Sequence, residues 1–198
     1  MRLYLRSRRV PATLVAAVTG VAGLWTLWSV FSDDREVGFQ LVVLTVLWSV
    51  TALTATLGGP DDDLDRTAAF RWLPRRLAHL AAAFLVVVLP LLATLATGAR
   101  FGPAWLVARD AAGLLGLTAL GAAALGVGRA WFLPLGWTLA ATLFPRSEPV
   151  LGRILTWQAQ PRVSAAAAVT AGLLAVCGLL AYAVAGPARR APAEAAQR

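Results

Sequence analysis

Apolar runs, separated by short polar segments or helix-breaking residues, constrain this chain more than any other feature. They cover residues 11–32, 37–57, 77–97, 104–127, 129–144 and 163–185. A helix needs roughly 20 apolar residues to cross a bilayer, and only the run at 129–144, which contains Pro134 and Gly136, is clearly short. Charged residues make up 14% of the chain, whereas soluble proteins average about 25%. We therefore predict an all-α, polytopic membrane protein with six transmembrane helices in a single domain over residues 1–198.

The positive charges indicate how the chain is oriented. The formal net charge is +8, and the chain contains arginine but no lysine. If the N-terminus is inside the cell, twelve arginines fall in the inner segments and six in the outer ones, in agreement with the positive-inside rule. We therefore expect a multi-pass protein of the cell membrane with both termini cytoplasmic, a cytoplasmic loop at 58–76 and an outer loop at 145–162. Because orientation accounts for the arginines, we expect no nucleic-acid partner.

Side chains that support catalysis are scarce. Without lysine, the chain cannot supply the P-loop residue that reaches nucleotide phosphates. One histidine, His79, and one cysteine, Cys177, are too few for a zinc site of the usual composition. The sequence therefore predicts no enzymatic activity, no metal site and no cofactor in this chain.

The run at 104–127 contains the one charged pair within a predicted span. Arg109 and Asp110 lie about one turn from its outer end. Charges inside a membrane are costly and are candidate functional residues for that reason. Alternatively, the two residues snorkel or pair with a neighbouring helix. In the same run Gly113, Gly116 and Gly121 form a small-residue face that favours close helix packing.

The segment 58–77 is the longest polar interruption within the apolar chain, and it exceeds what a simple connection needs. We predict a cytoplasmic helix over 66–72, preceded by acids and carrying arginine toward its end, an order that complements the helix dipole. Pro74 is expected to stop this helix. A solvated connection is the alternative, but exposed aromatic residues on a short helix favour docking to a cytoplasmic partner. The candidate docking residues are Asp65, Arg66, Phe70, Arg71, Trp72, Arg75 and Arg76.

Two further segments have the pattern of interfacial helices. Residues 1–10 interleave arginines with apolar residues, which suits a helix lying in the membrane interface; a basic leader that only sets topology is the alternative. Residues 145–162 are semi-polar, and their paired apolar residues suit a helix that lies at the surface or dips into the membrane.

Taken in their order along the chain, these features resemble those of the permease subunits of ABC-2-type ABC transporters. Those subunits have a basic N-terminal helix, six spans, a coupling helix between spans two and three, and re-entrant or surface helices between spans five and six. The motif DRTAAFRWLPRRL at 65–77 is similar to the family's acidic-then-basic pattern. The resemblance implies a coupling helix at 65–76, a separate cytoplasmic ATP-binding subunit, a second permease chain in a homodimer, and alternating access.

The expected function is therefore that of a membrane-spanning permease subunit in an ATP-driven transporter, with ATP hydrolysed by the separate subunit. Spans this apolar favour the export of a hydrophobic or amphipathic substrate. The main alternative is a non-transporting anchor or regulator that recruits a cytoplasmic partner through the same loop. A small integral-membrane enzyme is disfavoured, because the spans lack paired catalytic groups.

Overall fold

A computed structural model of the protein describes residues 10–58, 72–143, 150–161 and 163–188. Within these ranges the chain is helical, and its only strand-like feature is an isolated bridge between Glu36 and Arg100. The helices are α1 (Val10–Phe31), α2 (Phe39–Leu53), α3 (Trp72–Ala93), α4 (Ala104–Leu125), α5 (Phe132–Leu143), α6 (Val150–Leu155) and α7 (Ala165–Ala185). Residues 1–9 of the predicted interfacial helix at 1–10, and most of the predicted coupling helix, lie outside the described residues, and Val10 begins α1.

Five of the described helices are long and apolar enough to cross a membrane. Counting the 3₁₀ turns that extend α2 and α3, they are Val10–Phe31, Phe39–Thr56, Trp72–Ala96, Ala104–Leu125 and Ala165–Ala185. The prediction of an all-α membrane protein is confirmed at this level. The six-span count is not confirmed, because α5 has 12 residues and is about 18 Å long at 1.5 Å per residue, whereas the hydrocarbon core is about 30 Å thick.

The first two helices form an antiparallel hairpin held by two indole groups. Trp48 donates Nε1–H to the Ala16 carbonyl over 3.2 Å, and its ring lies on Gly20, where a Cβ atom would overlap it. At the turn between the helices, Trp28 donates to the Asp34 carbonyl over 2.8 Å. Glycine at position 20 therefore permits the close approach of α1 and α2.

Backbone pairing joins two connections at one end of the bundle. Val37 donates to the Arg100 carbonyl over 2.9 Å, and Arg100 donates to the Arg35 carbonyl over 2.7 Å. Nearby, Trp25 near the end of α1 donates to Thr97 Oγ1 after α3 over 3.0 Å, so α1 and α3 run in the same direction. We call the end defined by residues 32–38 and 97–103 the loop end, and the opposite end, where α1 begins and α7 finishes, the terminal end.

The most buried helix, α4, packs along α7 with the two helices parallel. Gly116 and Gly178 face each other so closely that a Cβ on either would overlap the backbone of the partner helix. At the terminal end, the Ala188 amide donates to the Ala122 carbonyl over 2.8 Å. Small residues permit this backbone contact, as is typical of membrane helices.

Parallel packing of α4 and α7 requires the chain to recross the bundle between them. Residues 129–161 make this return in pieces, which we call the broken crossing: α5, then α6, then a 3₁₀ turn at Trp157–Ala159. Trp137 on α5 donates Nε1–H to the Leu155 carbonyl at the end of α6 over 3.0 Å. Residues 144–149, between α5 and α6, lie outside the described residues.

Candidate functional site

The charged pair predicted in the fourth span is buried at the loop-end half of α4. Arg109 is 3% exposed and Asp110 is 0% exposed. Arg109 Nε donates to Asp110 Oδ1 over 3.0 Å, and Nη2 lies 3.0 Å from the same oxygen. The pair therefore does not snorkel to the surface, because both side chains point into the bundle.

The remaining donors of Arg109 bind the end of the broken crossing. Nη1 donates to the carbonyls of Gln160 and Pro161 over 3.1 and 3.4 Å, and Nη2 donates to that of Gln158 over 3.3 Å. Backbone carbonyls at the end of a helical turn lack intrahelical partners, and an unpaired carbonyl in a membrane costs several kcal/mol. One guanidinium thus caps the carbonyls of Gln158 and Gln160, and it adds a second donor to the Pro161 carbonyl, which also accepts from the Ser164 amide over 3.1 Å.

Trp157 and Gln158 complete a buried polar cluster around this cap. Trp157 is 0% exposed, and its ring lies on Gly113, where a Cβ would overlap it. Three buried polar atoms here have no hydrogen-bond partner in the described part of the chain: Asp110 Oδ2, Trp157 Nε1 and Gln158 Nε2. We call Arg109, Asp110, Trp157 and Gln158 the polar cluster. It combines one unused acceptor with two unused donors, at a place where burial without a partner costs about 1–3 kcal/mol per group.

Other buried hydroxyl groups in the spans are satisfied locally. Thr45, Ser49 and Thr118 each donate to the carbonyl four residues earlier in the same helix, over 2.6, 2.9 and 2.9 Å. Such back-bonding removes their need for a partner on another helix. These side chains therefore do not mark a polar path. The polar cluster differs from them because it contains buried polar atoms without a partner in the described part of the chain.

Of the predicted docking residues, Trp72, Arg75 and Arg76 are described, and they lie together in the first two turns of α3. Asp65, Arg66, Phe70 and Arg71 lie outside the described residues. Pro74, expected to end a helix, instead occupies the first turn of α3. Proline is tolerated there because the first-turn amides have no intrahelical acceptor.

Arg76 fastens the start of α3 to the end of α7. Its Nη1 donates to the carbonyls of Ala183 and Val184 over 3.2 and 3.4 Å, and its guanidinium covers Gly186, which has a φ of 72°. Arginine at a helix C-terminus satisfies free carbonyls and complements the helix dipole. Arg75 extends along the same helix, with its guanidinium carbon 5.8 Å from the centre of the Trp72 ring.

Two further contacts join the end of α2 to α3 and to α7 at the terminal end. Tyr182 on α7 donates its hydroxyl to the Leu57 carbonyl over 2.6 Å. His79 Nε2 and Thr56 Oγ1 are 2.9 Å apart in a hydrogen bond between α3 and the turn after α2. The helix ends on either side of the segment 59–71 are therefore tied to each other and to α7.

An apolar cleft lies between α3, α4 and α7. Its volume is about 260 Å³, and the residues that shape it include Leu80, Phe84, Ala112, Gly116, Ala119 and Val176. No single run in the sequence encodes it, since three helices that are not consecutive contribute its walls. Within the described ranges, no group of three or more histidine, cysteine, aspartate or glutamate side chains is placed to hold a metal ion.

Comparison of the chain with protein-family models, with curated proteins and with solved structures finds no match.

Proposed function

We propose that this chain is the membrane-spanning permease subunit of an ATP-driven transporter of the ABC-2 type, moving a hydrophobic or amphipathic substrate. ATP is hydrolysed by a separate cytoplasmic subunit, and two copies of the chain form the transport path. The observation that carries the proposal is the broken crossing between α4 and α7, with a buried ion pair at its end.

An irregular crossing favours transport over anchoring. Non-helical backbone at membrane depth requires protein partners for its carbonyls, and transporters use broken helices where a site has to change shape. A protein that only anchors a partner requires neither a broken span nor a buried ion pair. Only the later part of the broken crossing, α6 and the turn at Trp157–Ala159, lies between the fifth and last apolar runs, where the resemblance leads us to expect re-entrant or surface helices.

The segment 58–76 is suited to transmit force in this scheme. It connects α2 to α3 and includes the first turn of α3. The adjoining ends of α2 and α3 are linked to each other by Thr56 and His79, and to α7 by Arg76 and Tyr182. Displacement of the segment by an ATP-binding subunit moves these three helix ends together. Since α7 packs on α4 through glycine, the motion reaches the helix that carries the polar cluster, as alternating access requires.

Removal of the aromatic residues of the segment tests this proposal. The full chain carrying Phe70→Ala and Trp72→Ala is purified in mild detergent from membranes of its native host, and ATP hydrolysis in the eluate is measured. The matched control is Trp105→Ala, because Trp105 is 57% exposed near the loop end. We expect the wild type and the control to retain an ATP-hydrolysing subunit and the double variant to lose it.

Two results distinguish the alternatives. Equal ATP hydrolysis in all three preparations would refute docking through these residues. A copurified cytoplasmic partner that does not hydrolyse ATP, and is lost from the double variant, would instead support the non-transporting anchor. Circular dichroism of each preparation establishes that the helices are intact.

A further inference from the structure

The polar cluster gathers three side chains with unpaired buried atoms against one stretch of α4. Arg109 Nη2 lies 3.0 Å from Asp110 Oδ1 and donates to the Gln158 carbonyl over 3.3 Å, so the Asp110 carboxylate and residue 158 flank the same nitrogen atom. The ring of the neighbouring Trp157 lies on Gly113, three residues after Asp110, and residues three apart share a face of a helix. The three residues therefore meet α4 within about one helical turn.

The unpaired atoms define what an occupant of the cluster has to offer. Asp110 Oδ2 is an acceptor, whereas the indole Nε1 of Trp157 and the amide Nε2 of Gln158 are donors. An ammonium group has no acceptor for the two donors, and a carboxylate has no donor for the Asp110 oxygen. The charge of Asp110 is already paired with that of Arg109. The fitting occupant is therefore neutral, and it both donates and accepts hydrogen bonds.

Burial limits the size of that occupant. Asp110 and Trp157 are 0% exposed and Gln158 is 2% exposed, so a molecule that meets these atoms is enclosed by protein. Buried waters in proteins make about three hydrogen bonds to polar groups that lack other partners, and the cluster offers three such groups. Leaving these groups unpaired costs more free energy than holding one ordered water.

We propose that the polar cluster binds one buried water molecule, which donates to Asp110 Oδ2 and accepts from Trp157 Nε1 and Gln158 Nε2. The water links the turn at Trp157–Ala159 to α4 through the carboxylate, while Arg109 links the same turn to α4 through backbone carbonyls. The last part of the broken crossing is thus held to α4 at two points. This inference does not depend on the proposed transport activity.

NMR spectroscopy of the full chain tests the water site. The protein is isotope-labelled at the nitrogen atoms of its eight tryptophans and studied in deuterated detergent. We expect a nuclear Overhauser cross-peak between the indole proton of Trp157 and water. Trp137 is the internal control, because its Nε1 already donates to the Leu155 carbonyl over 3.0 Å, and we expect no water cross-peak there.

The indole signal of Trp157 is assigned through its loss in Trp157→Phe, which keeps an aromatic ring at the position. If that variant does not fold, replacing the other tryptophans with phenylalanine, one at a time, assigns the signal by elimination. The assignment therefore does not depend on any single variant.

Gln158 and Gln160 provide a matched pair of variants at the same turn. The side-chain amide of Gln160 already donates to Thr156 Oγ1 over 2.9 Å, whereas Nε2 of Gln158 has no partner in the described part of the chain. We expect Gln158→Leu to weaken the water cross-peak of Trp157 and to shift its indole signal, because the water loses one of its three partners. We expect Gln160→Leu to change neither.

Three results would overturn the proposal. The first is the absence of a water cross-peak at Trp157 in the wild type, as expected if a side chain outside the described residues bonds these atoms directly. The second is a cross-peak of equal strength at Trp137, which indicates general penetration of water. The third is an unchanged cross-peak in Gln158→Leu, which removes the amide from the site.

Discussion

Replacement of Arg109 by methionine tests whether one guanidinium holds the broken crossing in place. The variant removes the partner of Asp110 and the donor to three carbonyls, those of Gln158, Gln160 and Pro161. Breaking a buried ion pair on one side costs about 3–5 kcal/mol, because the other charge remains buried. For a chain of this size each kcal/mol lowers the Tm by about 2–4 °C, so we expect a decrease in Tm on the order of 10 °C.

Two further variants separate the effect of the unpaired buried charge from the effect of the lost hydrogen bonds to the carbonyls. Arg109→Met combined with Asp110→Asn removes the stranded carboxylate, but the carbonyls of Gln158 and Gln160 still lack the arginine donor, so we expect this variant to recover about half of the decrease in Tm. Arg109→Lys keeps the charge but loses the planar, five-donor geometry, and should fall between the wild type and Arg109→Met. The assay is thermal unfolding in detergent, followed by the loss of monodisperse protein in size-exclusion chromatography. An Arg109→Met protein as stable as the wild type would refute the capping argument.

The remaining predictions concern the helix contacts and the unpaired polar atoms. Gly116→Leu should prevent α4 from packing on α7, because even a Cβ at position 116 would overlap the Leu174 carbonyl. We expect this variant to yield no monodisperse protein. The control Gly172→Leu should be tolerated, because there is open space around Gly172. Tyr182→Phe removes the donor to the Leu57 carbonyl and should lower the free energy of unfolding by about 1–3 kcal/mol, measured as a fall in Tm. Gln158→Leu removes the unpaired Nε2 of a buried side chain and should leave the Tm unchanged or slightly raised; a loss comparable to that of Arg109→Met would show that this amide has a partner essential to the fold.

The fold class could be predicted because it depends on local composition. Runs of about 20 apolar residues can be satisfied in a membrane only as helices or closed barrels, and the breaks between them are visible as glycine, proline and charge. The boundaries were less accurate at the start of α3, which begins at Trp72, five residues before the predicted span. Proline there has two permitted roles, stopping a helix or sitting in its first turn, and the local sequence does not distinguish them.

The candidate site could be predicted only in part, because its decisive contacts are long-range. Arg109 was identified as a costly intramembrane charge, but its partners are backbone carbonyls 49–52 residues further along. A carbonyl carries no sequence signature. The parallel packing of α4 and α7, which makes 129–161 a return crossing, depends on contacts between Gly116 and Gly178. The small-residue face of α4 indicated close packing, but not which helix would supply the partner.

Cysteine labelling across the membrane tests the central claim, that residues 129–161 return the chain across the bilayer. With Cys177 replaced by serine, single cysteines are introduced at Gly128, exposed at the terminal end, and at Val163, which is 91% exposed. Intact cells and inverted vesicles are treated with a membrane-impermeant maleimide. A broken crossing places the two positions on opposite sides, so that one is labelled in intact cells and the other only in inverted vesicles. With the predicted cytoplasmic termini, position 163 is the one labelled in cells. Labelling of both positions from the same side would contradict the account.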